Sequence, residues 1–471
     1  MTDPYLLKLR PAVRLHGEGD DLLLACADGR GLRSRCPGPG IRALLEDLTQ
    51  DGGWGQSEQQ LVERATAAEP QADASRLYFL LDSLKNKGFL NYTLAAKGLP
   101  LATLEPISPG FHFHSAAHQG ALRLSRFACL RREGEVVLVE SPLGHARLVL
   151  HDARLCALPA LLATPRSMDA LATALPAFAP SLLDAAVVLL INAGVVFRCD
   201  DSGRIAEESA AALRQWEFHD LFFHTRSRSG RHEYPLGGTY RFKAELAHAP
   251  ALKAPMSEQR TALYRPAADS TGPDFFTVLE ARRSRRTPGE TPLTLSQLGE
   301  FLWRSARVQA HSAADPQHPG SYESTSRPYP GGGAVHELEL YLTVSRCEGL
   351  APGLYHYDPL AHELERVADL GKKQQTMVQQ AMNSSGLNQP PDVLITLAAR
   401  FGRVAWKYEG VAYALTQKNV GGLYQQMYLV ATALGLAPCA LGAGNSDIFS
   451  EATGMDYFTE TSVGEFLLSA G

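Results

Sequence analysis

The longest helical period in the chain runs from Val411 to Leu434. Its apolar residues Val411, Leu415, Leu423, Met427, Val430, Ala431 and Leu434 fall mostly three, four or eight apart, as on the buried face of a helix. Gly435 and Pro438 supply its stop. Gly421-Gly422 inside it costs about 1 kcal/mol per glycine relative to alanine. The pair therefore predicts close approach by another backbone or by a cofactor. Upstream the rhythm is different. Residues 13–16 alternate as a strand, Asp20 to Leu24 follow, and a turn is expected at Gly29 to Gly31. Helices are predicted over 41–48, 59–65 and 75–87 before 88–92 returns to strand, the layout of a small winged helix. The pattern recurs with strands at 121–124, 136–139 and 146–150, helices at 155–162, 168–175 and 181–192, and a strand ending at Phe197. Both stretches close with an apolar helix, a glycine and an apolar strand, which predicts a tandem repeat of roughly a hundred residues per unit.

Residues 205–269 read as a connector. A helix is expected over 216–224, an Arg/Ser/Gly loop over 227–238, and Pro/Ala linkers at 247–255 and 266–273, with a domain boundary near 265. Beyond it, helices are predicted from the capping Asp274 to Ala281, at 295–305 and at 373–382. Strands are predicted at 338–344, 353–357, 363–367, 392–398 and 465–470. Helices and strands interleaved without a strict βαβ repeat indicate α+β.

Length and charge bound the function. At 471 residues two or three domains are expected, and 45% hydrophobic with 20% charged residues is globular. A net charge of -5 argues against nucleic acid as the main partner. The second candidate recognition helix, 182–192, holds no Lys or Arg, so peptide binding or scaffolding suits the repeats better than DNA binding. No apolar run reaches the ~20 residues of a membrane span, and the amino terminus lacks a signal-peptide hydrophobic region. A cytoplasmic protein with no membrane contact is expected. Seven scattered cysteines without a CxxC indicate neither a disulfide framework nor a metal site.

Three short motifs carry candidate chemistry. Arg282-Arg283-Ser284-Arg285-Arg286 ends a predicted helix, and its guanidinium forks match phosphate oxygens; a solvated basic turn would read the same. Pro330-Gly331-Gly332-Gly333 lets backbone N–H groups approach a flat or anionic ligand, although neither common nucleotide fingerprint is present. Trp406-Lys407-Tyr408-Glu409 offers a base, because a nearby cation lowers a tyrosine pKa and a desolvated lysine loses its proton near neutrality. These residues also fit a surface lysine and a core tyrosine at a helix start.

Together with the run Gly435-Leu436-Ala437-Pro438-Cys439-Ala440-Leu441-Gly442, these motifs resemble the nitroreductase-like flavoprotein superfamily, in its azoline oxidase branch of SagB-type peptide dehydrogenases. The resemblance covers about residues 270–471. It implies a dimeric FMN domain, a mixed sheet flanked by helices, preceded by winged-helix-like domains of peptide-recognition type at 1–105 and 106–204. It further implies that Arg282, Arg283, Ser284 and Arg286 bind FMN, that Pro330, Gly331 and Gly332 lie along the flavin, and that Leu441 and Gly442 sit near its N5. Lys407 and Tyr408 match the family's catalytic pair. The implied reaction oxidises thiazoline or oxazoline rings of a ribosomally made precursor peptide to thiazole or oxazole, with electrons passing to O2. A cyclodehydratase of the same pathway is an implied partner. The alternatives are an NAD(P)H-dependent nitro or quinone reductase on the same fold, and a non-catalytic peptide-binding scaffold. This chain departs from many relatives in having Gly331 where they carry serine, and no basic tail follows Gly471.

Overall fold

A computed structural model describes residues 4–17, 21–26, 29–35, 37–50, 53–71, 73–115, 120–318 and 320–471. Asp20 of the predicted second strand and Cys36 lie outside the described residues. The chain forms two units that divide between Tyr234 and Pro235.

The first unit opens with β1 (Tyr5–Leu9), β2 (Val13–His16), β3 (Asp21–Cys26) and β4 (Gly31–Arg35). Then come α1 (Pro39–Thr49), β5 (Gln56–Ser57), α2 (Glu58–Ala68), α3 (Ala74–Asn86), β6 (Leu90–Ala96) and β7 (Leu99–Pro106). Local chemistry sets these starts. Pro39 opens α1, Ser57 and Gln60 form a capping box on α2, and Asp73 caps α3. The second stretch holds β8 (Leu122–Leu124), β9 (Cys129–Glu133), β10 (Val136–Glu140), β11 (Ala146–Leu150), α4 (Ala157–Leu161), α5 (Met168–Ala174), α6 (Pro180–Asn192) and β12 (Val196–Arg198). Three short helices, α7 (Ala206–Ser209), α8 (Ala211–Arg214) and α9 (Phe218–Arg226), complete the unit. The largest sheet has the order β5-β1-β6-β7-β11-β10-β9, so the two stretches join through the β7–β11 ladder, where Leu104 pairs with Leu148. β2-β3-β4 forms a separate sheet with β4 at its edge.

The second unit contains β13 (Arg260–Ala262), α10 (Phe275–Ala281), α11 (Leu295–Ala306), β14 (Ala310–Ser312), β15 (Ser324–Ser326), β16 (Leu338–Val344), β17 (Gly353–Asp358) and β18 (Glu363–Asp369). It continues with α12 (Lys372–Ser385), β19 (Val393–Ala399), α13 (Phe401–Lys407), α14 (Ala412–Ala433), β20 (Ala437–Leu441), α15 (Ser446–Thr453) and β21 (Thr461–Ser469). Its main sheet runs β13-β18-β17-β16-β19-β21-β20, and the fully buried strands β16 and β19 sit at its centre. Leu423, Met427, Val430 and Ala431 of α14 pack on one face with Phe466 and Leu468, while α12 and α15 cover the other with Met377, Val378 and Phe449.

Two expectations change. The sheet was expected to be mixed, but every ladder described in it is antiparallel: β16, β17 and β18 follow one another as neighbours, α12 returns the chain so that β19 runs against β16, and β21 inserts between β19 and β20, which run the same way. The segment expected as a connector contributes from residue 235 to the second unit. There β13 pairs with β18, and Ala251 donates its N–H to Glu323. Leu423, fully buried, is expected to cost about 2–5 kcal/mol on Leu423→Ala, while the exposed Gln425→Ala stays within about 0.5 kcal/mol, as read by urea denaturation.

Candidate active site

Two groups of candidate residues are built around α14. The first gathers on the glycine turn. Gly333 has φ 63°, and the non-glycine residues Ala334 and His336 also adopt left-handed conformations, at 56° and 45°. Three such residues in four positions store strain, which the surroundings must hold. Asn419 of α14 does part of this: its Oδ1 accepts the Gly332 N–H at 3.0 Å, and its Nδ2 donates to the buried Glu337 carboxylate at 2.9 and 3.1 Å. Arg403 of α13 does the rest. Its fully buried guanidinium donates to Val335 O at 2.7 Å and Glu323 O at 3.3 Å, and also to Ala249 O. Burial pulls the Arg403 pKa down to about 10, which leaves it a cation at neutral pH.

Four residues after Arg403, Lys407 ends α13, and Tyr408 is its C-cap rather than the start of the long helix. The Lys407 Nζ donates to Tyr322 Oη at 2.6 Å and stands 4.8 and 5.1 Å from the Tyr322 and Tyr408 ring centroids. The Tyr322 hydroxyl donates in turn to Gly333 O. A Cβ at Gly333 would clash with Tyr408 Oη and stand 2.6 Å from Lys407 Nζ, so all three polar heads converge on that glycine. Burial depresses the Lys407 pKa, but the Tyr322 hydrogen bond and the surrounding tyrosines Tyr322, Tyr408 and Tyr240 outweigh it and hold the ammonium above its ordinary value. The expectation of a lysine deprotonated near neutrality is therefore corrected: a phenol oxygen lies within hydrogen-bond reach and stabilises the charge. Behind Tyr322, the His248 ring lies tilted against it at 4.9 Å and meets Trp406 edge-on at 4.8 Å. Burial lowers the His248 pKa to about 4, so it is neutral.

The second group follows α10. Arg282 lies over the Tyr428 ring at 5.4 Å, and Ser284 Oγ is 2.7 Å from Tyr428 Oη, which also accepts the Ala440 N–H at 2.8 Å. Tyr428 thus links the Arg/Ser run to the strand leading into Leu441 and Gly442. Arg283 and Arg286 are exposed, and among the described residues neither makes an ion pair. Leu441 and Gly442 line a cavity of about 460 Å³ together with Gln417, Gly421 and Tyr424 of α14 and Glu465 of β21. Pro330 is exposed, and a Cβ at Gly422 would stand 3.5 Å from its ring. Among the described residues no hydrogen bond joins the first group to the second. Tyr322, Arg403, Asn419, Tyr428 and Glu465 escaped the sequence reading; the arginine and the asparagine sit inside helices with no motif around them.

The FMN implied by the sequence resemblance fits these residues. Side chains added at Gly421 or Gly442 would meet no atom within 4 Å, so two bare backbones face the cavity. Arg283, whose Nε donates to Ala281 O at 3.3 Å, and Arg286 form no ion pair among the described residues, and their remaining guanidinium donors suit a phosphate. Because φ at Gly333 is 63° and its Cβ would strike Lys407 and Tyr408, Gly333→Ala is expected to lower stability by about 1–2 kcal/mol in urea titration.

A family model described as the cyanobactin oxidase ThcOx matches residues 122–233, and the nitroreductase family model matches 279–465. A Methanocaldococcus jannaschii protein named as a nitroreductase is 31% identical over 168 residues, 35% of this chain and 77% of the relative. The microcin B17-processing protein McbC of Escherichia coli is 32% identical over 133 residues, 27% of this chain and 46% of the relative, less than half its length. Among solved structures, the E. coli microcin synthetase McbBCD complex with truncated pro-MccB17 matches with a TM-score of 0.33 and 21% identity, covering 53% of this chain and 91% of that one.

Proposed function

This chain belongs to the nitroreductase family, and from that premise we propose that it is an FMN-dependent dehydrogenase converting thiazoline or oxazoline rings of a ribosomally made precursor peptide to thiazole or oxazole. The convergence of Lys407, Tyr408 and Tyr322 on the Gly333 backbone carries this reading. The matches to the ThcOx model and to McbC support it. An azoline ring has an acidic Cα proton between a C=N bond and a carbonyl, and a base need only be well placed. Lys407, held as a cation by Tyr322, leaves proton removal to Tyr408 and offsets the negative charge that develops beside it. FMN supplies, when bound, the acceptor for the hydride leaving the neighbouring ring carbon, and O2 takes the electrons afterwards. Arg282, Arg283, Ser284 and Arg286 hold the phosphate end.

Two polypeptides complete the picture. The exposed stripe Tyr413, Gln417 and Gly421 along α14 supports a homodimer, and the lack, among the described residues, of a hydrogen bond between the two residue groups supports a site shared between chains. In the first unit, a cavity of about 520 Å³ between α3 and the edge strand β4 is lined by Leu32, Arg33, Ile41, Arg76, Phe79 and Leu80. That groove supports peptide recognition by the winged-helix-like units, with a cyclodehydratase as the partner that supplies the azoline.

The purified protein should be yellow and release FMN at about one per chain. Lys407→Met and Tyr408→Phe should keep FMN and lose azole formation by 10²-fold or more. Rapid flavin reduction by NADPH with no turnover of azoline peptide would favour the reductase reading instead. Phe79, 75% exposed in the groove, should act on KM: Phe79→Ser is expected to raise KM for the precursor several-fold with kcat unchanged, measured by steady-state kinetics.

A further inference from the structure

The closing strand carries an acid that the proposed chemistry does not use. Along β21, Phe466 and Leu468 pack towards α14 while Leu467 turns to the α12 and α15 side, and Glu465 shares that second face by alternation. Glu465 is 9% exposed, and among the described residues no donor or cation reaches its carboxylate. Directly across the ladder stands Thr396, whose hydroxyl is buried without a partner. With Gln380 and Asn445 the two line a cavity of about 20 Å³, room for one water. Glu465 also lines the 460 Å³ cavity beside Gly444 and Gly464. A Cβ at Gly444 would meet the carboxylate, so the loop passes directly over this acid.

We propose that Glu465 is a neutral acid on the wall of the large cavity that donates a hydrogen bond to the ligand bound there, with Thr396 and one trapped water completing its shell. The inference rests on reading that cavity as the flavin site. Burial without a compensating charge raises the Glu465 pKa to about 7, so the donor is present below neutrality and lost above it. Tyr424 and Tyr413 of α14 are the titratable side chains lining that cavity with it, and burial pushes the Tyr424 phenol up, which keeps it neutral as well. From α12, α15 and β19 the neighbours are Met377, Gln380, Phe449 and Thr396, none of them charged.

The test is FMN affinity measured by flavin fluorescence at pH 6 and pH 8, in wild type and in Glu465→Gln, which keeps a donor and cannot ionise. The neutral fraction of Glu465 falls about tenfold over this range, and the apparent Kd scales inversely with it. The FMN phosphate titrates near pH 6 in both proteins, so the comparison is between them. Wild-type Kd is expected to rise about tenfold more than that of E465Q, whose binding at pH 6 also verifies its fold. Equal pH dependence in the two proteins overturns the role of Glu465 and leaves the flavin reading intact. Failure of wild type to bind FMN at either pH overturns both.

Discussion

A buried guanidinium that forms no ion pair among the described residues holds the candidate site together. Arg403 is fully buried, and its donors go to the carbonyls of Val335, Glu323 and Ala249. Desolvating a cation is costly unless its donors are satisfied, and carbonyls from three separate segments meet that condition only in one arrangement. That arrangement brings the glycine turn, the segment bearing Tyr322 and the end of α13 to one place. Lys407 and Tyr408 follow four and five residues later, so their position depends on the clamp. The strained backbone at Gly333, Ala334 and His336 persists because Arg403 and Asn419 fix both of its sides.

The long helix α14 distributes the remaining parts. Its buried face lies on the antiparallel sheet through Leu423, Met427 and Ala431. Asn419 reaches the glycine turn, Gly421 opens to the large cavity, and Tyr428 carries Ser284 and the Ala440 N–H. One helix therefore sets the spacing of the basic cluster, the cavity wall and the turn. A shift of this helix would move all three at once, which is why its apolar face tolerates little change in volume.

Much of this was legible in the residues. The period of 411–434 predicted α14 to within a residue at each end, and the strand read over 338–344 and the apolar run 392–398 matched the two central strands. Asp274 caps α10 as its chemistry requires. The glycine pair also has a place in the structure, since Gly422 lies against Pro330 and Gly421 opens to the cavity. What was not legible is short or fixed from a distance. The seven residues of α13 are interrupted by Gly402 and buried on most sides, so they show no period. β20 has five residues with a proline among them, and β1 lies beside strands far away in sequence. The charge state of Lys407 depends on Tyr322, which is 85 residues away and carries no local sign of its partner.

The central proposal is that Tyr408, beside the Lys407 cation at the end of α13, removes a proton from an azoline ring. The most direct measurement is the mass of an azoline-containing precursor peptide after incubation with the FMN-loaded protein in air. A loss of two hydrogen atoms per ring with wild type, and none with Tyr408→Phe carrying the same flavin, is the predicted result. A peptide of unchanged mass with flavin-loaded wild type, or equal loss with the variant, would contradict the account.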